Sequence, residues 1–335
     1  MSTLTPSAGV SIDFDDAQLE TSVRAGLAEV EISLRTAVRS EDEFVADVAR
    51  HLIDAGGKRF RPLLALLAAH FGDPGADGVI LSAVVCELTH LATLYHDDVM
   101  DEAPVRRGAE SANSRWSNTV AILTGDFLFA RASDMLADLG PEAVRIQARC
   151  FERLVTGQIR ETVGPRAGTD PIDHYLGVLA EKTGSLIATS AELGARFAGA
   201  HPATVDALRA YGEQIGVAFQ ISDDILDIAS DTGQSGKTPG TDLREGVQTL
   251  PALYALRDEG SDGARLRELV GRPLADEAEH AEALALLRSS EAMVRARDTM
   301  AGYADAARAT LRFVPRLPAR EALEALTELV VARTG

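Results

Sequence analysis

Lysine is nearly missing from this 335-residue chain. Of 33 basic residues only Lys58, Lys182 and Lys237 are lysine, and the rest are arginine. A chain that uses arginine almost everywhere keeps lysine where a compact ammonium is needed, and each of the three falls inside a motif described below. Cysteine is scarce too. Cys86 and Cys150 both lie in apolar helical context, which reads as two buried thiols in a reducing compartment rather than a disulfide. Aromatic residues make up only 5% of the chain and no stretch alternates as a strand would, so the architecture reads as all-α. No signal peptide and no apolar run of membrane-spanning length stand out, and the expectation is a soluble, cytoplasmic protein with no transmembrane segment. Positive charge is also in deficit: the net charge of −18 argues against a nucleic-acid partner.

What is present is helix. Alanine and leucine dominate, as helical bundles prefer. After a polar tail over 1–16, apolar residues recur at helical spacing over 18–55, and Gly56-Gly57 closes that helix. Pro62 suits the first turn of the next helix. Further helices are expected over 79–100, 117–139, 141–163, 172–199, 202–229, 250–259, 276–308 and 320–333, with a basic loop over 104–113 and a long Gly/Thr/Asp-rich loop over 230–248. The expected organisation is one all-α domain over 17–335.

Two stretches carry the chemistry. Asp97-Asp98-x-x-Asp101 and Asp223-Asp224-x-x-Asp227 each end an apolar helical run. Residues four apart share a helix face, so Asp97 pairs with Asp101 and Asp223 with Asp227. Carboxylates held so close repel unless a cation lies between them. Hard divalent ions bridging a few carboxylates to phosphates are the natural partner, which points to a Mg²⁺ cluster holding a diphosphate. Basic residues follow. Lys58 and Arg61 flank a glycine hinge and a helix N-terminus, a place suited to anions. Arg106-Arg107-Gly108 lies where a loop can fold back over the first carboxylate pair, and arginine forks match phosphate oxygens. Gly125-Asp126 and Gly157-Gln158-x-x-Glu161 read either as supporting groups or as structural hydrogen bonds. Lys182-Thr183 interrupts a run of small residues. The stretch 236–251, with Lys237, suits a lid that closes over phosphates.

These residues resemble the trans-isoprenyl diphosphate synthases, or polyprenyl synthetases. The resemblance runs from Gly56 to Pro251 through G-G-K-R-x-R-P, H-D-D-x-M-D with R-R-G, G-D-F-L, K-T, F-Q-I-x-D-D-I-L-D and G-K-x-x-G-x-D-L-x-E-G-x-x-T-L-P. It implies an isoprenoid-synthase-like helical bundle around a central active-site cavity, usually a homodimer. It implies condensation of isopentenyl diphosphate with an allylic diphosphate to a trans polyprenyl diphosphate, with three Mg²⁺ per active site. By the same match Asp97, Asp101 and Asp223 ligate Mg²⁺, supported by Asp98, Asp224 and Asp227. Lys58, Arg61, His90 and Arg107 would hold isopentenyl diphosphate; Arg106, Lys182 and Lys237 would hold the allylic diphosphate. Thr183 and Gln220 would face the developing allylic cation. One position departs: where the family often has lysine, this chain has Val247, so one cation to the leaving diphosphate is missing or comes from elsewhere.

Stepping back along the helix from Asp97, Thr93, Thr89, Cys86 and Ser82 fall on one face. None is bulky over about 22 Å, which by family analogy implies a product of about C30–C50 rather than farnesyl diphosphate. Phe127 or Phe129 could floor the cavity instead, and the product would then be geranylgeranyl diphosphate. Such a product suggests release at a membrane surface. The reading of another class is a non-catalytic subunit of a heteromeric synthase, but such subunits lose aspartates and here both sets are complete.

Overall fold

The computed structural model describes residues 14–229, 239–258 and 260–334. Most of the expected N-terminal tail, and residues 230–238 of the expected loop with Lys237 among them, lie outside the described residues. The regular structure of the described residues is helical, apart from two strands of two residues each. It divides into two compact units built from sequence-distant segments: Met1–Phe151, Leu186–Gly212 and Leu311–Ala325 form one, and Glu152–Ser185, Glu213–Thr310 and Leu326–Gly335 form the other.

In the first unit, α4 (Gly78–Met100) is the helix on which α1 (Ala17–Ala37), α3 (Phe60–Ala69) and α6 (Asn118–Leu139) pack. Leu34, Leu52, Leu88, Leu91, Tyr95 and Leu128 are fully buried there. Tyr95 donates its hydroxyl hydrogen to the Val48 carbonyl at 2.5 Å and accepts the Leu52 amide, so its buried hydroxyl is satisfied. By length and composition α4 could cross a membrane, against the expectation that no such run exists. Its apolar stretch is 67% buried inside the fold, as a core helix requires.

Where the expected boundaries differ, a cap or a break explains the difference. The stretch 18–55 is two helices, because Asp42 accepts the Phe44 and Val45 amides and starts α2 (Glu43–Asp54) afresh. The loop over 104–113 contains a hairpin, β1 (Val105–Arg106) and β2 (Ala109–Glu110), followed by the short α5 (Ala112–Arg115). Its two turn residues, Arg107 and Gly108, both have positive φ, as tight two-residue hairpins need. Strands this short leave no alternating pattern to read.

α7 (Pro141–Val163) and α10 (Pro202–Ala229) match their expected bounds, and both contribute to each unit. In the second unit the expected helix over 172–199 is broken. It comprises α8 (Pro171–Leu179), one π-helical turn over Ala180–Gly184, and α9 (Ser185–Phe197), most of which belongs to the first unit. Thr241–Glu245 forms α11, and α12 (Leu250–Leu256) packs on α8, on α13 (Ser261–Val270) and on α15 (Glu291–Thr310). The run 276–308 is also two helices, since α14 (Glu277–Arg288) ends where the Ser289 and Ser290 hydroxyls donate back to its last carbonyls. α16 (Pro318–Ala332) closes the described chain.

Candidate active site

At the end of α4 the first aspartate motif splits in two directions. Asp101 is 56% exposed and Asp97 half-buried, whereas Asp98 is fully buried. Arg106, carried back by the hairpin, donates to Asp98 Oδ1 at 2.5 Å and approaches Asp101 at 4.0 Å. Burial pushes the Asp98 carboxyl up, and the Arg106 guanidinium pulls it part of the way back. Its second oxygen is buried with no hydrogen-bond partner. Behind the motif His96 lies against α6: its Nε2 is 3.0 Å from the Ile122 carbonyl and 3.6 Å from Asp126. A Cβ at Gly125 would sit 2.2 Å from that ring, which is why the G-D-F-L motif needs its glycine.

The same unit gathers the basic residues. Arg59 adopts left-handed backbone at φ 48° and is locked by Glu31, by Glu87 at 3.0 Å and by the Ile53 carbonyl. Of the three cations in G-G-K-R-x-R-P it is therefore an anchor. The Arg107 guanidinium lies on Gly57, where a Cβ would come within 2.8 Å of it, and it donates to the Leu52 and Gly56 carbonyls. Arg61 lies deeper, with Nε buried and unpartnered and its pKa lowered by burial. Glu87, almost fully buried, is the shared counter-ion, acting on all three arginines. Three guanidiniums against two carboxylates, Glu87 and the Glu31 that pairs with Arg59, leave one positive charge in excess for an anion. His90 faces this basket, and burial together with Arg61, Arg107, Arg106 and Arg59 holds its pKa well below the usual value, so it is neutral. The structure thus brings Arg61, His90 and Arg107 together, while Lys58 is exposed.

In the second unit Asp224 is the buried member of its motif, at 7% exposure. Among the described residues no arginine bonds to it. Tyr175 of α8 donates to Oδ2, and Gln220, one turn back on α10, donates to Oδ1 at 3.0 Å. Burial nonetheless pushes Asp224 up to about 8. Gln220 in turn accepts the Thr183 hydroxyl at 3.4 Å. Thr183 and Lys182 belong to the π turn, and Lys182 bonds to Glu161 at 2.6 Å. A Cβ at Gly157 would come within 2.7 Å of the Lys182 amide, so that glycine lets the turn close in. π turns inserted in helices recur at functional sites. Asp223 bonds to Arg333 at 2.5 Å, and that guanidinium lies over Phe219. Asp227 accepts the Thr241 and Asp242 amides, tying the end of α10 to the loop that follows. Val247 is exposed.

Three residues here lie outside the motifs, and a fourth, Arg59, lies inside one with a role its position did not mark. Glu87 had a signal, being the single acid inside the apolar part of α4. Arg59 was visible only as one cation among three. Tyr175 and Arg333 had none, since they reach their aspartates from 49 and 110 residues away.

The donor set is all carboxylate oxygen, which fits a hard divalent cation and not a soft one. Among the described residues no group of three or more His, Cys, Asp or Glu side chains forms a ready-made cage.

Residues 42–287 match the polyprenyl synthetase family model. The chain belongs to the polyprenyl synthetase family. It is a prenyltransferase of isoprenoid biosynthesis that joins isopentenyl diphosphate to an allylic diphosphate, and divalent-metal dependence comes with the family. It is 54% identical over 333 residues to a nonaprenyl diphosphate synthase of Mycobacterium tuberculosis, covering 99% of each. It is 42% identical to a dimethylallyltranstransferase of the same organism, over 96% of this chain and 98% of that one. The fold superposes at TM-score 0.88 and 49% identity on a geranylgeranyl pyrophosphate synthase of Corynebacterium glutamicum solved with calcium and isoprenyl diphosphate, covering 97% and 100% of the chains.

Proposed function

We propose that the chain is a Mg²⁺-dependent synthase whose product is a medium-to-long all-trans polyprenyl diphosphate, and that residues 17–335 act as one catalytic domain. The observation that carries the reading is the basket of Arg61, Arg107 and neutral His90 around Glu87, beside solvent-reaching carboxylates spaced four apart. Arg61, His90, Arg107 and Lys58 hold isopentenyl diphosphate. Asp97, Asp101 and Asp223, with Asp98, Asp224 and Asp227 behind them, hold three Mg²⁺ against the allylic diphosphate, together with Arg106, Lys182 and Lys237. When bound, Mg²⁺ neutralises the charge building on the departing diphosphate. Gln220, whose amide already bridges Thr183 and Asp224, presents these dipoles to the allylic carbon as it becomes cationic.

The nonaprenyl relative and the small residues Thr93, Thr89, Cys86 and Ser82 on one face of α4 support the longer product. Geranylgeranyl diphosphate is the second reading. It is favoured by Phe129, which packs on Phe151 at 4.5 Å and on His96 at 5.7 Å, and by the Corynebacterium neighbour. A homodimer is supported by apolar residues left exposed along α7, namely Val144, Val155, Ile159 and Val163, and by Leu123 on α6. A cytoplasmic location, with product released at a membrane surface, fits two buried free thiols and an apolar product.

The test is labelled isopentenyl diphosphate with an allylic starter and Mg²⁺, followed by sizing of the products. Chain elongation that stops without Mg²⁺ is expected. No turnover by the chain alone would point to a non-catalytic subunit, and a single twenty-carbon product to the second reading.

A further inference from the structure

On the α4 face, Thr93 is half-buried and, among the described residues, bonded within its own helix, to the His90 carbonyl. One turn further from the aspartates the situation changes. Thr89 is fully buried, donates to the Val85 carbonyl at 2.9 Å, and accepts Nε2 of Gln147, from α7, at 2.6 Å. Gln147 is 8% exposed, and its Oε1 is buried with no hydrogen-bond partner. A turn beyond, Cys86 is sealed against Ser190 and Cys150. A leucine at 147 would fill the same space without an orphaned acceptor, and an unsatisfied buried acceptor is a standing cost to the fold. Stability does not explain this glutamine.

We propose that Gln147, latched to Thr89, is a specificity-determining residue of this synthase: a polar gate across the path of the growing prenyl chain. This rests on the reading that the chain grows along the α4 face. The hydrocarbon passes Thr93 freely, then meets an amide and a hydroxyl that it cannot bond to and that are bonded to each other. Further growth requires breaking that bond and rotating the Gln147 side chain away, which leaves the Gln147 amide unpaired against hydrocarbon while Thr89 keeps its bond to Val85. The gate lies eight residues from Asp97, about 12 Å along the helix axis. It therefore acts on intermediates rather than on the starter, and it sets where elongation slows and release competes.

The experiment is product sizing by reversed-phase chromatography for the full chain and for Gln147→Ala, Gln147→Met and Thr93→Phe. Gln147→Ala vacates four heavy atoms, so the product distribution is expected to lengthen by about one isoprene unit. Gln147→Met keeps the bulk and removes the latch; it is expected to shift the distribution the same way, by less, and it serves if the alanine variant folds poorly. Unchanged lengths in both, with a shortened product in Thr93→Phe, would overturn the gate and leave the elongation face standing. Unchanged length in Thr93→Phe as well would remove the face itself.

Discussion

The two aspartate motifs are spelled alike and solved differently. In each, the second aspartate turns inward, Asp98 to complete burial and Asp224 nearly so. The flanking pair four residues apart is left more accessible: Asp97 and Asp101 in one motif, Asp223 and Asp227 in the other. An inward carboxylate is costly unless it is compensated. The first motif compensates with charge, through Arg106 at 2.5 Å. The second uses neutral donors, Tyr175 and Gln220, and its carboxyl is pushed up to about 8. One sequence pattern therefore specifies where the outward carboxylates point, and leaves the support of the inward one to whatever the surrounding fold supplies.

Replacing the inward aspartates by asparagine breaks this asymmetry most directly. Asp98→Asn leaves the Arg106 guanidinium without its buried partner, and a loss of about 2–3 kcal/mol is expected in metal-free urea unfolding, less than for a fully enclosed pair because Arg106 keeps some solvent and Asp101. Asp224→Asn replaces a group that already holds a proton near neutrality, and a change within about 1 kcal/mol is expected. The sign with pH differs too. Since the folded pKa of Asp224 is raised, the fold keeps a proton that the unfolded chain has lost, and stability falls as pH rises from the carboxylate range towards 8. Asn at 224 flattens that decline. Equal costs at 98 and 224 would show that the two inward carboxylates are held in the same way.

Tyr175→Phe is the next smaller step. It deletes one donor to Asp224 Oδ2 and leaves Gln220 on Oδ1, for an expected stability loss of about 1 kcal/mol. Because Gln220 also bonds Thr183, the variant should lower kcat more than it raises the KM for isopentenyl diphosphate. An effect on that KM alone would separate the tyrosine from the second motif.

Much of the first motif's setting was legible in the sequence because it is local. Arg106 follows Asp98 by eight residues, and Arg107-Gly108 is the turn that brings it back. Lys58, Arg61 and Arg107 come from motifs of fixed spacing, His90 from the family resemblance, and the lone acid Glu87 on an apolar helix was there to be noticed. The second motif draws on partners far along the chain, Tyr175 and Arg333, at positions where no composition or period marks them. The helices were read well wherever the apolar period was strong, as in α4, α7 and α10. Boundaries were lost where a single cap resets the helix, as Asp42 does, or where one extra residue per turn makes the π turn around Lys182 without disturbing the apolar pattern.

The last expected effect is absent at neutral pH and concerns a feature of the first motif's surroundings, the arginine basket that faces His90. Burial and then Arg61, Arg107, Arg106 and Arg59 hold this imidazole well below the usual histidine value of 6.5. As pH falls through about 6.5 the unfolded chain gains a proton there and the folded chain does not, so stability is lost on the acid side only. His90→Gln keeps a hydrogen-bonding side chain and removes the titration. Urea unfolding of both proteins at pH 7.5, 6.5 and 5.5 should give a difference that is constant above pH 7 and then moves in the variant's favour by at most about 1.4 kcal/mol per pH unit. A difference that stays flat to pH 5.5 would mean that His90 takes up its proton in the folded state as readily as in the unfolded one. The basket would then hold less positive charge than its three guanidiniums imply, and the case for it as the seat of a diphosphate would weaken with it.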